Sequence, residues 1–214
     1  MTSSSTPLVV NGRSYSFAKK CVASQEQIFE KIDAIAANIA IDYAGKATAE
    51  NPLILICVLK GAYLFTADLA RALADKGVPN VVEFMCVSSY GKYTVSSGEV
   101  RMLLDLRNSI SKRHCLIVED ILDSARTLDF LYKVFMTRGP ASLRTCVLLD
   151  KPEGRKLPFV AHYRCFEIAN EFVVGYGLDY AEMYRDLRDI VVLKPEVYSP
   201  KTASEMHKVP DSKL

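Results

Sequence analysis

Residues 116–127, LIVEDILDSART, decide the fold class, because an apolar run leads into acidic residues, a short loop of small residues and the start of a helix. The run 115–118 predicts a buried strand, and a helix is predicted from about Thr127 to Thr137. The backbone N–H groups of such a loop, together with a helix N-terminus, form an anion site. The hydroxyls of Ser124 and Thr127 can add donors to it, so the stretch predicts a phosphate-binding loop.

Three carboxylates, those of Glu119, Asp120 and Asp123, lie beside this predicted anion site. Carboxylates accept hydrogen bonds from sugar hydroxyls, and their oxygens bind hard divalent cations such as Mg²⁺. The combination indicates a ligand that carries phosphate, ribose hydroxyls and a bound cation. The alternative is an ordinary helix start, whose acidic residues offset the helix dipole and cap the first turn.

Strands and helices alternate along most of the chain. Apolar residues at helical spacing predict a helix from Gln25 to about Tyr43, and a second helix is predicted from Tyr63 to Asp75. Further apolar runs predict strands at 53–59, 81–87, 144–149, 172–174 and 190–193. Turn residues between 88 and 107 predict a polar loop. This order predicts an α/β fold with a mostly parallel central sheet flanked by helices and a small hood, and ligands bind such sheets at the carboxyl ends of the strands.

Length and composition predict a single soluble domain over residues 1–214. Half of the residues are hydrophobic, and the net charge is only +2. Lys and Arg are spread along the chain, which argues against nucleic acid as a partner, and no apolar stretch is long enough for a membrane span. The six cysteines lie far apart with no Cys-x-x-Cys pair, so we expect them to be reduced core residues.

The chain ends in Ser212-Lys213-Leu214, a tripeptide that import receptors read as a peroxisomal address. The preceding residues include Pro200 and Pro210 and many polar side chains. We therefore expect a flexible tail over 196–214 that leaves the tripeptide accessible to a peroxisomal import receptor. Without such import the chain would be cytoplasmic.

Residues 116–127 resemble the phosphoribosyl pyrophosphate signature of the type I phosphoribosyltransferases. The resemblance implies that Glu119 and Asp120 hold the ribose hydroxyls. It also implies that five residues wrap the 5-phosphate: Asp123, Ser124, Ala125, Arg126 and Thr127. The family usually has Gly-Lys where this chain has Ala125-Arg126. Alanine still allows the backbone to approach a phosphate if φ stays negative, and arginine keeps the charge.

Two further segments resemble the hypoxanthine-guanine members of that family. Lys60-Gly61, after the first buried strand, resembles their pyrophosphate loop, in which a non-proline cis bond precedes the lysine. Lys151 resembles the lysine that donates to the purine 6-oxygen, and Phe172 the aromatic residue that stacks on the base. A cation at this position favours an oxo over an amino group, so the implied substrates are hypoxanthine, guanine and xanthine. Taken alone, Lys60-Gly61 and Lys151 could be plain turns and Phe172 a core residue.

The resemblance assigns roles to the remaining site residues. Asp179 resembles a second metal-binding acid and Arg185 the arginine that grips pyrophosphate, although alone they could be a helix cap and a surface ion pair. Ser89-Tyr90 resembles the serine-tyrosine pair of the mobile catalytic loop. The implied catalytic residues are Asp123, Lys151 and Arg185. The implied ligands of Mg²⁺ are Glu119, Asp120 and Asp179, and the implied purine-binding residues are Ile121, Lys151, Phe172, Val173 and Asp179.

The segments 81–107 and 175–180 and the Ser-Lys-Leu terminus most resemble the trypanosomatid enzymes of this family. That resemblance implies import into the glycosome and a homodimer or homotetramer. Three alternatives stay open: a regulator with a phosphoribosyltransferase fold but no significant catalysis, a pyrimidine or orotate transferase, and a Rossmann-like binding module. The last is disfavoured because Gly-x-Gly-x-x-Gly does not follow the first strand.

Overall fold

The apolar runs 53–59, 144–149 and 190–193 form strands in which nearly every residue is buried. The computed structural model describes residues 6–89 and 100–198, which divide into two units. The larger unit contains residues 26–170, and the smaller unit is formed by residues up to 25 and from 171 onward. Each unit has its own sheet system.

The larger unit is built on a six-stranded sheet. Its strands are β4 (Leu53–Leu59), β5 (Asn80–Ser89), β6 (Val100–Leu104), β7 (His114–Leu122), β8 (Ser142–Asp150) and β9 (Tyr163–Glu167). The strand order is β6-β5-β4-β7-β8-β9, and every pair is parallel except β5 with β6. The carboxyl ends of β4, β7 and β8 therefore lie side by side at one edge of the sheet.

Three helices accompany this sheet: α1 (Gln25–Tyr43), α2 (Tyr63–Asp75) and α3 (Arg126–Met136). Helix α3 contributes Leu128, Leu131 and Phe135 to a buried cluster with strand residues such as Ile56 and Ile117. Burial of this one apolar face stabilises the helix against the sheet and fixes where its N-terminus lies. Within the described residues, none of the helices is long and apolar enough to cross a membrane.

In the smaller unit, the residues that the structure describes form antiparallel sheets. A hairpin joins β1 (Leu8–Val10) and β2 (Arg13–Tyr15). A three-stranded sheet has the order β10-β11-β3, formed by Val173–Val174, Ile190–Leu193 and Ala18–Ala23. Tyr15, Val174 and Val191 are among its buried core residues. These small sheets are the predicted hood.

The predicted helices are confirmed, and the predicted α/β class with a mostly parallel sheet is confirmed. Strand β7 is longer than the predicted 115–118, so Glu119 and Asp120 lie inside the strand and do not follow it. The prediction of a polar loop from 88 to 107 was wrong at Ser88 and Ser89, which belong to β5, and it was also wrong at Val100–Leu104. Residues 100–104 form an edge strand because Met102 and Leu104 pair with Val87 and Cys86 of β5.

The cysteines have no disulfide partner in the structure. Four are buried, as expected for core thiols: Cys57, Cys115, Cys146 and Cys165. Cys21 and Cys86 are only half-buried, so the prediction that all six are core residues was wrong for these two. Burial raises the pKa of the Cys57 thiol to about 11, which keeps it protonated at neutral pH.

Candidate active site

Lys60 and Gly61 follow β4 at the carboxyl edge of the sheet, beside the acidic end of β7. The Leu59–Lys60 peptide bond is cis, as the resemblance implied. Gly61 packs directly on Asp120, because a β-carbon added to the glycine would overlap the Asp120 carboxylate. The carboxylate is held from its own strand as well, since the N–H of Ile121 donates to Asp120 Oδ1 at 2.8 Å. The loop after β4 and the end of β7 thus form one surface.

Glu119 is a buried carboxylate with an unused acceptor. Only 7% of the residue is exposed, and its Oε2 atom has no hydrogen-bond partner among residues 6–89 and 100–198. Burial, with a further contribution from the neighbouring Asp120, raises the pKa of Glu119 well above its ordinary value. A buried carboxyl oxygen without a partner is unfavourable, and a ligand can supply the missing partner as a hydroxyl donor or a cation.

The loop between β7 and α3 forms an anion-binding concavity. Ala125 precedes the helix in the left-handed conformation, with φ 70° and ψ 0°. A left-handed residue followed by the right-handed Arg126 turns successive N–H groups toward one side, the arrangement called a nest. The condition stated for Ala125, a negative φ, is therefore not met, because the residue before α3 has a positive φ. Ser124 Oγ accepts from the Arg126 N–H at 3.5 Å.

Lys151 directly follows β8 and is attracted by the carboxylates of Asp120 and Asp123 at the end of β7. Only 7% of it is exposed. Burial lowers the pKa of Lys151, while attraction to Asp123 and Asp120 partly opposes this shift. The backbone N–H of Lys151 donates to Leu122 O at 2.9 Å. Gly154 in turn packs against the Asp123 carboxylate, with no room for a β-carbon between them.

Arg155 is a site residue that sequence reasoning missed. Its guanidinium donates to the carbonyl oxygens of Leu122 and Asp123 and pairs with the Asp150 carboxylate. No pattern in the sequence signals the two contacts with carbonyl oxygens, because they span 33 and 32 residues and depend on the pairing of β7 with β8. The fold alone places this side chain behind Asp123.

In the smaller unit, Arg185 is anchored by its own surroundings. It pairs with Asp179 Oδ1 at 2.9 Å and donates to the Gly177 carbonyl at 2.8 Å. Its Nε atom is buried and has no hydrogen-bond partner in the described part of the chain. Asp179 Oδ2 also accepts from the Glu182 N–H at 2.9 Å.

The segment that carries Asp179 and Arg185 has an unusual backbone. Four of its residues other than glycine have positive φ: Tyr176 (51°), Ala181 (50°), Glu182 (67°) and Tyr184 (73°). Side chains rarely adopt this region, and such residues concentrate at functional sites. Phe172 is 41% exposed, with its ring edge-to-face with Tyr180 and stacked on Tyr198, whereas Val173 is buried. Phe172 is therefore partly exposed and is not a buried core residue.

The predicted residues thus fall into two groups. The larger unit brings together Lys60, Gly61, Glu119, Asp120, Ile121, Asp123, Ser124, Ala125, Arg126, Thr127 and Lys151. The smaller unit brings together Phe172, Val173, Asp179 and Arg185. Ser89 is the last residue of β5, and its side chain lies outside the described part of the structure, as do Tyr90 and the C-terminal tripeptide.

The predicted metal ligands are distributed in the same way. Glu119 and Asp120 belong to the larger unit and Asp179 to the smaller. The part of the chain that the structure describes contains no cluster of three or more His, Cys, Asp or Glu residues that could hold a metal ion by itself. The oxygen donors and the unused Oε2 of Glu119 fit a hard cation that brings further ligands from a bound polyphosphate.

Comparison with known proteins agrees with this geometry. A family model described as a phosphoribosyl transferase domain matches residues 22–181. The hypoxanthine-guanine phosphoribosyltransferase of Leishmania donovani is 54% identical over 187 residues, which cover 87% of this chain and 89% of that protein. The enzyme of the same name from Crithidia fasciculata is 52% identical over 195 residues, covering 91% and 93%.

Similar solved structures belong to enzymes of the same kind. A structure of Trypanosoma cruzi hypoxanthine phosphoribosyl transferase is 57% identical, with a TM-score of 0.85, and covers 89% of this chain and 99% of that one. A second structure of the Trypanosoma cruzi enzyme, in complex with the product IMP, has a TM-score of 0.82 at 57% identity and covers 87% and 100%. The chain belongs to the phosphoribosyl transferase domain family, among its hypoxanthine-guanine phosphoribosyltransferases.

Proposed function

We propose that this chain transfers the 5-phosphoribosyl group from phosphoribosyl pyrophosphate to hypoxanthine or guanine, giving IMP or GMP and pyrophosphate in purine salvage. The observation that carries the proposal is the edge of the larger unit's sheet. There a nest at Ala125, the carboxylates of β7 and the buried Lys151 meet at the ends of adjacent strands. A phosphate, a ribose and a 6-oxopurine each find complementary groups at this edge.

The residues of the larger unit divide the work of binding phosphoribosyl pyrophosphate. The N–H groups at Ala125 and Arg126 and the hydroxyls of Ser124 and Thr127 take the 5-phosphate. Glu119 and Asp120 accept hydrogen bonds from the ribose hydroxyls, which supplies the donor that Glu119 Oε2 lacks. Lys60 and Gly61 follow β4 and meet the pyrophosphate.

A magnesium ion completes this proposal as the cofactor. Glu119 and Asp120 would hold it through the substrate, and Asp179 would be a further ligand. When bound, Mg²⁺ neutralises charge on pyrophosphate as that group departs. Lys60 and Arg185 provide fixed positive charge for the same purpose, and preorganised cations of this kind are effective in stabilising developing charge.

Transfer replaces one bond at C1 of the ribose by another. The C1–oxygen bond to pyrophosphate breaks, C1 gains oxocarbenium character, and N9 of the purine forms the new bond to C1, as the products IMP and GMP require. Asp123 accepts or relays the proton that the purine gives up. Lys151 donates to the 6-oxygen, and Phe172 stacks on the base, with Ile121 and Val173 beside it.

The donor at the 6-position excludes adenine, whose amino group cannot accept a hydrogen bond from Lys151. Xanthine carries the same 6-oxo group, so we include it as a third substrate.

The same proposal covers assembly and location. We expect a homodimer or homotetramer that uses small-molecule substrates, with neither nucleic acid nor membrane as a partner. The Ser212-Lys213-Leu214 terminus would direct the chain to the glycosome or peroxisome through an import receptor. A fluorescent protein fused to the N-terminus of the whole chain should accumulate in these organelles. The same fusion with Leu214→Glu should stay in the cytoplasm, and equal distribution of both would contradict the assignment.

The activity itself is tested by pyrophosphate release from the purified chain with Mg²⁺ and phosphoribosyl pyrophosphate. Hypoxanthine, guanine, xanthine, adenine and orotate are offered separately, with a reaction that lacks a base as control. Turnover of 6-oxopurines alone is expected, and it would also rank the three. Turnover of orotate would instead favour a pyrimidine transferase. Nucleotide binding without turnover of any base would favour the regulator.

A further inference from the structure

Arg155 connects the loop after β7, which carries Asp123, with the loop after β8, which carries Lys151. In the proposed reaction both residues act on the same purine. We propose that Arg155 is a positioning residue, which fixes the main chain of Asp123 against the turn that carries Lys151. This role rests on the proposed function, because it matters only if Asp123 and Lys151 act on the same base. The hydrogen bonds of Arg155 in the described part of the chain go to other groups, and not to the Asp123 carboxylate or the Lys151 ammonium.

The guanidinium reaches three acceptors at once. Arg155 Nη1 donates to Leu122 O at 2.9 Å and to Asp123 O at 2.6 Å. Arg155 Nη2 forms an ion pair with Asp150 Oδ1. Two of the acceptors are main-chain carbonyls, that of Asp123, the proposed general base, and that of Leu122 just before it. The third acceptor is the carboxylate of Asp150, which directly precedes Lys151. A planar fork suits this arrangement, since its N–H groups point in fixed directions.

The pair with Asp150 is held away from water. The side chain of Asp150 is 5% exposed and that of Arg155 is 18% exposed. A desolvated carboxylate requires cations and hydrogen bonds, so loss of Arg155 would remove the less exposed of the two cations that pair with Asp150. Arg164 also approaches Asp150, at 3.2 Å, but its side chain is 51% exposed. Arg164 shares the carboxylate and has no recorded contact with the carbonyls of β7.

Backbone contacts fasten both ends of the same turn. The Lys151 N–H donates to Leu122 O at 2.9 Å, and the Lys156 N–H donates to Ser124 O at 3.1 Å. Between them, Gly154 packs against the Asp123 carboxylate. Leu122 O thus accepts from both Lys151 and Arg155. The turn 151–156 and the segment 122–124 form one braced structure with the guanidinium at its centre.

This bracing has a consequence for the chemistry. In the proposed reaction Lys151 donates at the 6-oxygen while Asp123 takes the proton from the ring, so the spacing of the two groups must match one purine. Groups that act together need to be held within about 0.5 Å, and a displacement of about 1 Å can lower a rate by about a hundredfold. Removal of Arg155 takes a hydrogen bond from the Asp123 carbonyl and an ion pair from Asp150, the residue before Lys151. One substitution therefore loosens the positions of both Asp123 and Lys151.

The test compares Arg155→Gln with Arg164→Gln. Both substitutions remove a cation from Asp150, but only the first removes donors to Leu122 and Asp123. We expect Arg155→Gln to lower kcat for hypoxanthine by about tenfold to a hundredfold. The KM for phosphoribosyl pyrophosphate should change by less than about threefold, because the phosphate loop keeps its bond from Lys156. Arg164→Gln should stay within about twofold of wild-type kcat.

A third variant, Arg155→Lys, and the midpoint of thermal unfolding complete the experiment. Lysine keeps the charge but cannot fork to three acceptors, so its kcat should lie between those of wild type and Arg155→Gln. Equal kcat values for the two glutamine variants would overturn the proposal. If Arg155→Gln does not fold, wild-type kcat in a folded Arg155→Lys enzyme would overturn it instead. A wild-type chain that turns over no base would contradict the proposed function itself, which the substrate panel shows before any variant is made.

Discussion

Gly61 lies so close to Asp120 that a β-carbon on the glycine would overlap the aspartate carboxylate. The contact joins the loop after β4 to the end of β7. Gly61→Ala should therefore displace either the loop or Asp120, and with it a group proposed to bind ribose. We expect kcat/KM for phosphoribosyl pyrophosphate to fall at least about tenfold, since a shift of about 1 Å at a binding group is sufficient. Steady-state pyrophosphate release measures this ratio.

Gly77→Ala is the matched control. Gly77 has φ 73° and open space around its Cα, so alanine there meets strain but no neighbour. This variant should lose about 1 kcal/mol of unfolding free energy and keep kcat/KM within about twofold. The prediction about Gly61 would be wrong if the two glycine variants lost the same fraction of activity.

Ala125 is the opposite case, an alanine in a conformation that glycine prefers. Its φ of 70° costs a residue with a side chain about 1–2 kcal/mol. Ala125→Gly should raise the free energy of unfolding by about 1 kcal/mol, because relief of strain exceeds the added entropy of the unfolded chain. Urea unfolding of both proteins at the same pH measures the difference.

Ala67→Gly provides the control for this prediction. Ala67 is exposed in the interior of α2, where glycine costs about 1 kcal/mol relative to alanine. The two alanine-to-glycine changes should therefore have opposite signs. A loss of stability in both would show that the backbone at position 125 does not carry the expected strain.

The sequence was informative wherever local chemistry and strand order coincide. Residues 116–127 predicted the strand, the anion loop and helix α3, because an apolar run, small residues and hydroxyls each act within a few residues of their own position. Lys151 was predicted at a strand end and is found there, next to β7. The resemblance also implied the cis bond before Lys60.

The sequence failed where the deciding interaction is distant along the chain. The strand Val100–Leu104 follows turn residues, and only its pairing with β5 makes it a strand. The positive φ of Ala125 could not be predicted from the residue type, because alanine does not favour that conformation. Arg155 was missed because the two carbonyl oxygens that it binds lie 33 and 32 residues away, and Asp189 was missed because its partner Arg13 lies 176 residues away.

Asp123→Asn tests the proposed general base. The amide cannot accept the purine's proton, so kcat for hypoxanthine should fall by about a hundredfold or more while the KM for the base changes little. Asp129→Asn is the control, because Asp129 lies on α3 in an exposed pair with Lys133. Unchanged turnover in Asp123→Asn would show that another group handles the proton.

Asp189 anchors the smaller unit, and its charge makes stability depend on pH. Its side chain is fully buried and accepts four hydrogen bonds: from Arg13 Nε at 2.8 Å and Nη2 at 2.7 Å, from the Tyr15 hydroxyl at 2.6 Å and from the Gln25 N–H at 2.9 Å. Burial alone would raise the pKa of Asp189, but these donors outweigh it and hold that pKa below the ordinary value. Asp189→Asn should cost about 3 kcal/mol at pH 7, because it removes the buried negative charge that pairs with Arg13.

The pH dependence separates this charge effect from lost packing. Because the folded-state pKa of Asp189 is lowered, its contribution is fully present above the unfolded pKa of about 4 and is lost as the pH falls through the folded-state pKa. The difference in unfolding free energy between wild type and Asp189→Asn should therefore shrink from pH 7 to pH 3, as measured by urea unfolding. Asp105→Asn removes an exposed bidentate partner of Arg138 and should cost less than about 1 kcal/mol. If the difference in unfolding free energy between wild type and Asp189→Asn stayed constant with pH, the stabilising effect of Asp189 would come from its packing and not from its charge.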